Sequence, residues 1–312
     1  MPSNTSPLGA LPARFRRQRL LIVGCGDVGQ RLARLVPKPV QVMALTSKAD
    51  KMAGLRRQGI TPLWGNLDEP HTLRRLAGLA HRVVHLAPPP GEGFGDPRTR
   101  NLLRSMARRR APQSWVYGST SGVYGDCQGQ WVHESQPATP FTPRAFRRVD
   151  AETRLRWHGK GPGLRQGSRV SILRIPGIYA LDRVGGTPLD RLRKGTPVLL
   201  AQDDVYTNHI HADDLARACW LALWRGHAQR IYHVSDDSQL KMGDYFDVAA
   251  DLFGLPRPAR VPRDTAQDQL PLMLLSFMSE SRRLDNNRMK QELGLRLRYP
   301  TVHQGLQPQP QA

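Results

Sequence analysis

Three glycines with the spacing G-x-G-x-x-G, namely Gly24, Gly26 and Gly29, stand between a short apolar run and a helical pattern. In this arrangement the first glycine permits a tight turn, the second admits a pyrophosphate close to the backbone, and the third lets helix and strand pack closely. Free N–H groups at the start of the helix, around Asp27 and Val28, would hold the pyrophosphate. A glycine-rich turn is the structural alternative, but the flanking strand and helix favour a dinucleotide site.

The end of the second predicted strand bears on the choice of nicotinamide cofactor. An acidic residue about 20 residues past the glycine motif would bind the ribose 2′-hydroxyl and favour NAD. Thr46, Ser47 and Lys48 stand there instead, so this position offers two hydroxyls, one ammonium group and no carboxylate. These groups suit a 2′-phosphate, so the sequence predicts NADP, with NAD as the open alternative.

Histidines and cysteines are arranged neither as a metal site nor as a disulfide framework. His209 and His211 are two residues apart and have no third ligand beside them in the sequence. The three cysteines, Cys25, Cys127 and Cys219, are scattered and odd in number. This pattern fits a reducing compartment, so a cytoplasmic protein is expected.

The chain is strongly basic, with a formal net charge of +20, and arginine supplies 39 of its 46 basic residues. The arginines are spread along the chain without a recognised nucleic-acid-binding module, so nucleic acid is not the expected partner. A modest attraction for phosphate-bearing ligands is the better interpretation. Because no run of roughly eighteen apolar residues occurs, no membrane-spanning segment is expected.

Short apolar strands alternate with helical patterns through the first half of the chain. Predicted strands occupy residues 19–23, 40–45, 61–64, 82–86 and 114–118, and predicted helices occupy residues 27–35, 48–58, 70–79 and 97–110. The second half predicts strands at 170–175 and 231–234, helices at 213–224 and 242–253, a last helix at 286–293, and a loop at 256–268. This alternation predicts an α/β fold with a doubly wound parallel sheet of the Rossmann type, whose loops share one crevice.

Five further segments carry a resemblance to a known family. They are residues 119–126 (STSGVYGD), 173–179 (LRIPGIY), 208–216 (NHIHADDLA), 232–237 (YHVSDD) and 292–295 (ELGL). With the glycine motif, and in this order, they resemble the atypical or extended short-chain dehydrogenases/reductases of the NAD-dependent epimerase/dehydratase superfamily. The resemblance covers roughly residues 19–306.

This resemblance implies a domain organisation. A dinucleotide-binding domain is expected at residues 19–175, to which residues 206–239 return, with a smaller substrate lobe at 176–205 and 240–306. Residues 1–18 and 307–312 are expected to form disordered tails. The residues that the resemblance places along the cofactor, mostly on its adenosine side, are Asn66, Leu67, Ala87, Pro88, Pro89 and Pro176.

The chain departs from this family at the residues that carry its chemistry. Active members place a tyrosine and a lysine four apart on one face of a helix, with an acid four residues later. Counting back from Glu152 puts Arg148 at the lysine position and Arg144 at the tyrosine position. Arg148 could hold a ribose or a phosphate, but Arg144 stays protonated and cannot transfer a proton. Thr120 stands at the family's catalytic Ser/Thr position, and Tyr124 is the nearest candidate proton donor.

The sequence therefore leaves two functions open. The first is an NAD(P)-dependent oxidoreductase or epimerase/dehydratase that acts on a small carbonyl, hydroxyl or nucleotide-sugar substrate. The second is a non-catalytic NAD(P)-binding sensor or regulator, which the missing tyrosine and lysine support. A small-molecule substrate is the expected partner, and a homodimer is left open.

Overall fold

Strands and helices alternate along the part of the chain that the computed structural model describes, which comprises residues 18–161, 167–270, 275–276 and 278–307. The first elements are β1 (Arg19–Val23), α1 (Asp27–Leu35), β2 (Gln41–Thr46), α2 (Asp50–Arg57), β3 (Thr61–Trp64), a 3₁₀ helix (Pro70–Leu76), β4 (Arg82–His85), α3 (Pro97–Met106), β5 (Ser114–Thr120), a second 3₁₀ helix (Ser121–Tyr124), β6 (Trp131–Val132), α4 (Pro143–Gly159) and β7 (Arg169–Ile175). After them come β8 (Gly177–Tyr179), α5 (Leu189–Arg193), β9 (Val198–Leu199), β10 (Tyr206–Thr207), β11 (His209–His211), α6 (Ala212–Arg225), β12 (Arg230–His233), β13 (Leu240–Lys241), α7 (Met242–Phe253), β14 (Arg260–Val261), α8 (Arg263–Gln269), β15 (Arg283–Leu284), α9 (Asn287–Glu292) and α10 (Val302–Leu306).

Seven of these strands form one parallel sheet in the order β3-β2-β1-β4-β5-β7-β12. Ile22 on β1, for example, pairs with Ala44 on β2 and with Val84 on β4. The order of the strands reverses between β1 and β4, and in such sheets ligands bind at the carboxyl ends of the strands that flank this point. The predicted α/β fold with a doubly wound parallel sheet is confirmed.

Both faces of the sheet are buried, as the alternation of side chains along β1 illustrates. Leu20 and Ile22 point into a core that α1 and α6 cover, whereas Leu21 and Val23 point into a second core covered by α3 and α4. Successive residues of a strand face opposite sides, so a strand covered on both faces is apolar throughout. The two cores therefore fix the orientation of β1 and with it the position of the glycine loop that follows.

A smaller hydrophobic cluster lies in the C-terminal part of the chain. Tyr179, Leu192, Val198, Phe246 and Val302 are among its buried members. The predicted boundary between the dinucleotide domain and a substrate lobe remains a prediction. Within the described residues no helix is long and apolar enough to cross a membrane.

The seven predicted strands of the sheet are confirmed, and three expectations about other segments are wrong. Residues 70–79, predicted as a helix, form a 3₁₀ helix over Pro70–Leu76. The loop expected at 256–268 contains β14 and α8, and α9 is followed by the additional helix α10. Helix α8 was missed because its sequence, RDTAQDQ, is polar and buries little besides Ala266. The predicted tails lie outside the described residues at positions 1–17 and 308–312.

Candidate functional site

The glycine loop after β1 has two glycines that the backbone itself requires. Gly24 has a φ of +87°, and a Cβ there would lie 2.4 Å from the backbone nitrogen of Ala87. A Cβ on Gly29 would lie 3.2 Å from Cγ2 of Ile22, because α1 packs closely on β1 at this point. These contacts agree with the tight-turn and close-packing roles that the motif predicts.

Gly26 differs from its neighbours because a Cβ on it would meet nothing within 4 Å. Gly26 is also the N-cap of α1, and no side chain caps this helix. The first N–H groups of a helix lack partners within it, so open space and unused donors coincide here. Both features fit a pyrophosphate bound at the start of α1.

A cleft of about 320 Å³ lies over this loop. Eight of the predicted site residues line it, namely Gly24, Gly26, Asp27, Val28, Gly29, Thr120, Arg148 and Pro176. A larger cavity of about 960 Å³ adjoins it and shares Thr120, Arg148, Pro176, Ile178 and Arg183 with it. The two cavities therefore meet at the end of β5 and the first turns of α4.

Thr120, the last residue of β5, stands at this junction. Its Oγ1 accepts a hydrogen bond from the backbone nitrogen of Gly122 at 3.2 Å, which caps the short 3₁₀ helix that follows. A threonine hydroxyl has one donor besides its acceptor lone pairs, so the Thr120 proton is still available to a ligand. The capping role and a ligand-binding role are compatible at this residue.

The expectation that Tyr124 is the nearest candidate proton donor requires correction. Tyr124 is only 1% exposed and lines neither cavity. Its hydroxyl lies 2.6 Å from Nε2 of His233, and Arg174 lies over its ring. Burial raises the pKa of Tyr124 to about 12, so this hydroxyl is a poor proton donor to a ligand. The 3₁₀ helix over Ser121–Tyr124 turns this side chain into the core.

Helix α4 carries both arginines that stand where the family has tyrosine and lysine. Arg144 and Arg148 line the larger cavity, and Arg148 also lines the cleft over the glycine loop. The Nη1 of Arg148 donates to the hydroxyl of Tyr117 at 3.1 Å and to the carbonyl oxygen of Gly118 at 2.8 Å. These neutral acceptors hold the Arg148 guanidinium at the end of β5.

A buried ion pair fixes α4 against the sheet. Glu152 accepts hydrogen bonds from Arg174 of β7 at 2.7 Å and from the Ser119 hydroxyl of β5 at 2.5 Å. The side chains of Glu152 and Arg174 are 5% and 4% exposed. A buried pair of this kind is costly to break, so it holds the helix in one position relative to β5.

The remaining predicted cofactor residues lie at or just after the ends of β2, β3 and β4, outside the two cavities. Ser47 and Lys48 are exposed, and Thr46 Oγ1 accepts from the Lys48 nitrogen at 3.2 Å. Leu67 is buried in the core with 8% exposure. The other four members of this group are Asn66, Ala87, Pro88 and Pro89. Their contact with a cofactor remains a prediction.

The loop after β4 is held by Arg98. Its Nη1 donates to the carbonyl oxygens of Pro88 and Pro89, both at 3.2 Å. Its Nη2 donates to Asp68 at 2.7 Å, two residues after Asn66. Arg98 therefore ties together two loops in which the sequence predicts contacts to adenosine.

The two histidines of β11 have aromatic neighbours. The ring of His209 stacks on Tyr245 at 4.1 Å, and that of His211 stacks on Tyr299 at 3.7 Å. Burial lowers the pKa of His209 to about 3, so the side chain is neutral. In the described part of the chain no three His, Cys, Asp or Glu side chains are grouped so that they could hold a metal ion.

Besides Arg147 on α4, four charged residues that the sequence did not predict line the larger cavity, namely Arg183, Arg191, Glu280 and Arg282. Arg183 donates to Asp27 at 2.6 Å, and Arg282 donates to Glu280 at 2.8 Å. Each belongs to a segment without a motif, and in a chain so rich in arginine the residue type alone carries no signal. The topology of the fold brings them to the site.

Comparisons with known proteins agree with this geometry. A model of the NAD dependent epimerase/dehydratase family matches residues 20–235. The solved structure of a functionally unknown conserved protein from Silicibacter pomeroyi is 30% identical, with a TM-score of 0.74, and the match covers 93% of this chain and 96% of that one. No curated protein matches the chain.

Two more distant solved structures share the fold. A UDP-glucose 4-epimerase from Thermotoga maritima, with UDP-glucose, is 17% identical with a TM-score of 0.73, over 93% of this chain and 96% of that one. A dTDP-glucose 4,6-dehydratase from Streptomyces venezuelae, with NAD bound, is 21% identical with a TM-score of 0.72 over the same shares.

Proposed function

This chain belongs to the NAD-dependent epimerase/dehydratase family, and from that membership we propose an NAD(P)-dependent oxidoreductase or epimerase/dehydratase. Its substrate would be a small hydroxyl or carbonyl compound, with nucleotide sugars as the first class to test. The observation that carries the proposal is that Thr120 and Arg148 line both cavities. A substrate in the larger cavity would reach a cofactor in the cleft at these two side chains.

The glycine loop would hold the pyrophosphate of the cofactor. Support comes from the open space at Gly26 and from the uncapped start of α1. The nicotinamide, when bound, accepts or donates a hydride. We propose NADP as the preferred cofactor because Thr46, Ser47 and Lys48 end β2 without a carboxylate.

The protein side chains would orient the substrate and move its proton. Thr120 would orient the reacting oxygen by donating a hydrogen bond to it, without giving up its proton. Glu280 supplies the carboxylate of the larger cavity among the described residues that line it. A Cβ on Gly122 would lie 3.6 Å from Thr120 Oγ1 and 3.9 Å from Glu280 Oε2, so the two groups approach the same region. Glu280 is therefore the proposed proton acceptor in place of the missing tyrosine.

One observation favours the sensor as a second candidate function. Arg144 at the tyrosine position cannot give up its proton, and Tyr124 is buried away from the cavities. If Glu280 does not move protons, the cavities would still bind ligands without turning them over.

Turnover of a substrate panel separates the two functions. NADPH oxidation is measured with ketones and aldehydes, and epimerisation or dehydration is measured with UDP-sugars. Glu280→Gln should lower any wild-type rate by about 10²–10⁴-fold, and Thr120→Ala should also lower it. Asp268→Asn, on the exposed face of α8, is the control and should leave the rate unchanged. Restoring the family pattern with Arg144→Tyr and Arg148→Lys should raise a low residual rate on the ketones and aldehydes.

The alternative outcomes are distinct. Turnover that survives both Glu280→Gln and Thr120→Ala would contradict the assignment of the reacting groups. A wild-type protein that binds NADPH and turns over nothing in the panel would favour the sensor.

A further inference from the structure

The larger cavity is walled mainly by cations. The described residues that line it include one carboxylate, Glu280, and six arginines, which are Arg144, Arg147, Arg148, Arg183, Arg191 and Arg282. Three of the arginines come from the first two turns of α4, two follow β8, and one precedes β15. Arginines clustered around a concave surface raise the local concentration of anions.

Two of these arginines already have a carboxylate partner. Arg183 pairs with Asp27 at 2.6 Å, and Arg282 pairs with Glu280 at 2.8 Å. The acid that lines the cavity therefore offsets one of the six arginine charges of its wall.

Arg147 and Arg148 donate to neutral groups only, as far as the described residues show. Nη1 of Arg147 donates to the carbonyl oxygen of Gly93 at 2.6 Å. Arg148 donates to Tyr117 and Gly118, and neither arginine forms an ion pair with a described carboxylate. Charge-assisted bonds to an anion would be stronger than these contacts.

Unused donors remain on two guanidinium groups of the same wall. Arg147 is 7% exposed, and its Nε has no hydrogen-bond partner among the described residues. Arg191 lies over the ring of Phe246 at 4.2 Å, and its buried Nε and Nη2 likewise have no partner in the described part of the chain. A buried donor without an acceptor is costly, and a bound anion would supply the acceptor.

The arginines of α4 also repel one another. Loss of hydration lowers the pKa of the Arg144 guanidinium, and the charges of Arg148, Arg282 and Arg147 lower it further, while Glu280 acts in the opposite sense. Perturbed pKa values of this kind are more frequent at functional sites than elsewhere in proteins.

We propose that the substrate carries an acid group, a carboxylate or a phosphate, at its reacting end, and that Arg148 and Arg144 hold this group beside Thr120. This inference rests on the proposed function, because it assigns the substrate class of the same site. It also gives the arginines at positions 144 and 148 a direct role, since both contact the substrate rather than move its proton. Neutral ketones would be weak ligands.

Calorimetry with three small probes tests the inference in the presence of NADP⁺. The probes are pyruvate for a carboxylate, inorganic phosphate for a phosphate, and hydroxyacetone as a neutral ketone of similar size. At least one anion should bind about tenfold or more tighter than hydroxyacetone, and its affinity should fall as NaCl is raised. The probe that binds identifies the acid group as a carboxylate or as a phosphate.

Variants locate the binding. Arg148→Gln and Arg144→Gln should each weaken the anion by about tenfold or more, and Arg148→Lys should restore part of the loss. Arg156→Gln removes the same charge from an exposed position of α4 that does not line the cavity, so it is the matched control. Because Arg148 also holds the end of β5, thermal unfolding checks each variant, and the exposed Arg144 carries the test if Arg148→Gln does not fold.

Failure of the inference and failure of the proposed function are distinguishable. Hydroxyacetone binding as tightly as both anions, or unchanged anion affinity in Arg144→Gln, would overturn the inference. A separate NADPH titration of the wild-type protein reports on the proposed function. If NADPH does not bind, the anion measurements are repeated without cofactor, and they still test this inference.

Discussion

At the scale of single residues, substitutions at two glycines of the loop after β1 distinguish an effect on cofactor binding from an effect on folding. Gly26→Val adds a side chain where a Cβ meets nothing within 4 Å, at a φ of −83° that any residue adopts. The variant should fold with an unchanged melting temperature, yet its side chain should occupy the space of a pyrophosphate and abolish cofactor binding. Titration of NADPH by calorimetry, together with thermal unfolding, checks both parts.

Gly24→Val is the matched contrast. At Gly24 a Cβ would lie 2.4 Å from the backbone nitrogen of Ala87, and the φ of +87° disfavours any side chain. This variant should lose stability as well as binding. Unchanged NADPH affinity in Gly26→Val would mean that the dinucleotide does not bind at this loop.

Residue types could be predicted at this scale better than side-chain directions. The glycine spacing and the position of Thr120 at a strand end follow from local sequence, and these residues line one cleft. Tyr124 lies four residues after Thr120, but the intervening 3₁₀ helix sends its side chain to His233. Glu280 could not be found from sequence, because only the fold brings it near Thr120 from a distant segment.

At the scale of elements, we propose that the end of β2 sets the preference between NADPH and NADH. Ser47 and Lys48 are exposed there, and the segment has no carboxylate to repel a 2′-phosphate. NADPH should therefore bind about 10- to 150-fold tighter than NADH, which corresponds to a charge-assisted contact of about 1.5–3 kcal/mol. Lys48→Glu should remove or reverse this preference, as measured by titration with both cofactors.

Lys38→Glu makes the same charge change at an exposed site before β2. This site lies at the amino end of the strand, opposite the end that carries Lys48. It should leave the ratio of the two affinities unchanged. Equal affinities of the wild-type protein for NADPH and NADH would show that the end of β2 does not contact the phosphate.

Long apolar elements were predictable because burial on both faces leaves a strong pattern in the sequence. The inner strands β1, β2, β4, β5 and β7 belong to this class, whereas the edge strand β3 has no buried residue. Helix α10 has five residues and is stabilised by a Thr301 cap and by burial of Val302 and Leu306, a signal too short to recognise. The secondary structure of the sheet was therefore easier to predict than that of the C-terminal segments.

At the scale of the whole molecule, a buried aspartate, Asp236, lies just after β12 and next to β11. Asp236 is 4% exposed, its N–H donates to the His209 carbonyl oxygen at 2.7 Å, and its Oδ1 accepts from the Ser238 nitrogen at 3.0 Å. Burial raises the pKa of Asp236 to about 8, although the hydrogen bond from the backbone nitrogen of Ser238 acts in the opposite sense. The folded protein therefore holds this proton over a wide range of pH.

This proton makes stability depend on pH in a defined direction. Because the unfolded pKa of an Asp is about 3.9, the folded state binds more protons than the unfolded state between about pH 4 and pH 8. The contribution of Asp236 to the free energy of unfolding is therefore most favourable near pH 4 and is lost progressively as the pH rises to 8. Asp236→Asn, which keeps the shape and stays neutral, should remove this dependence.

Urea unfolding of the wild-type protein and Asp236→Asn at about pH 5 and about pH 8 tests the prediction. The variant should gain stability relative to the wild-type protein at the higher pH, by an amount on the order of a few kcal/mol. Asp268→Asn, exposed on α8, should follow the wild-type profile. If Asp236→Asn and the wild-type protein instead lose stability in parallel as the pH rises, Asp236 is ionised in the fold, and its buried charge must be balanced by neighbours at the end of β12.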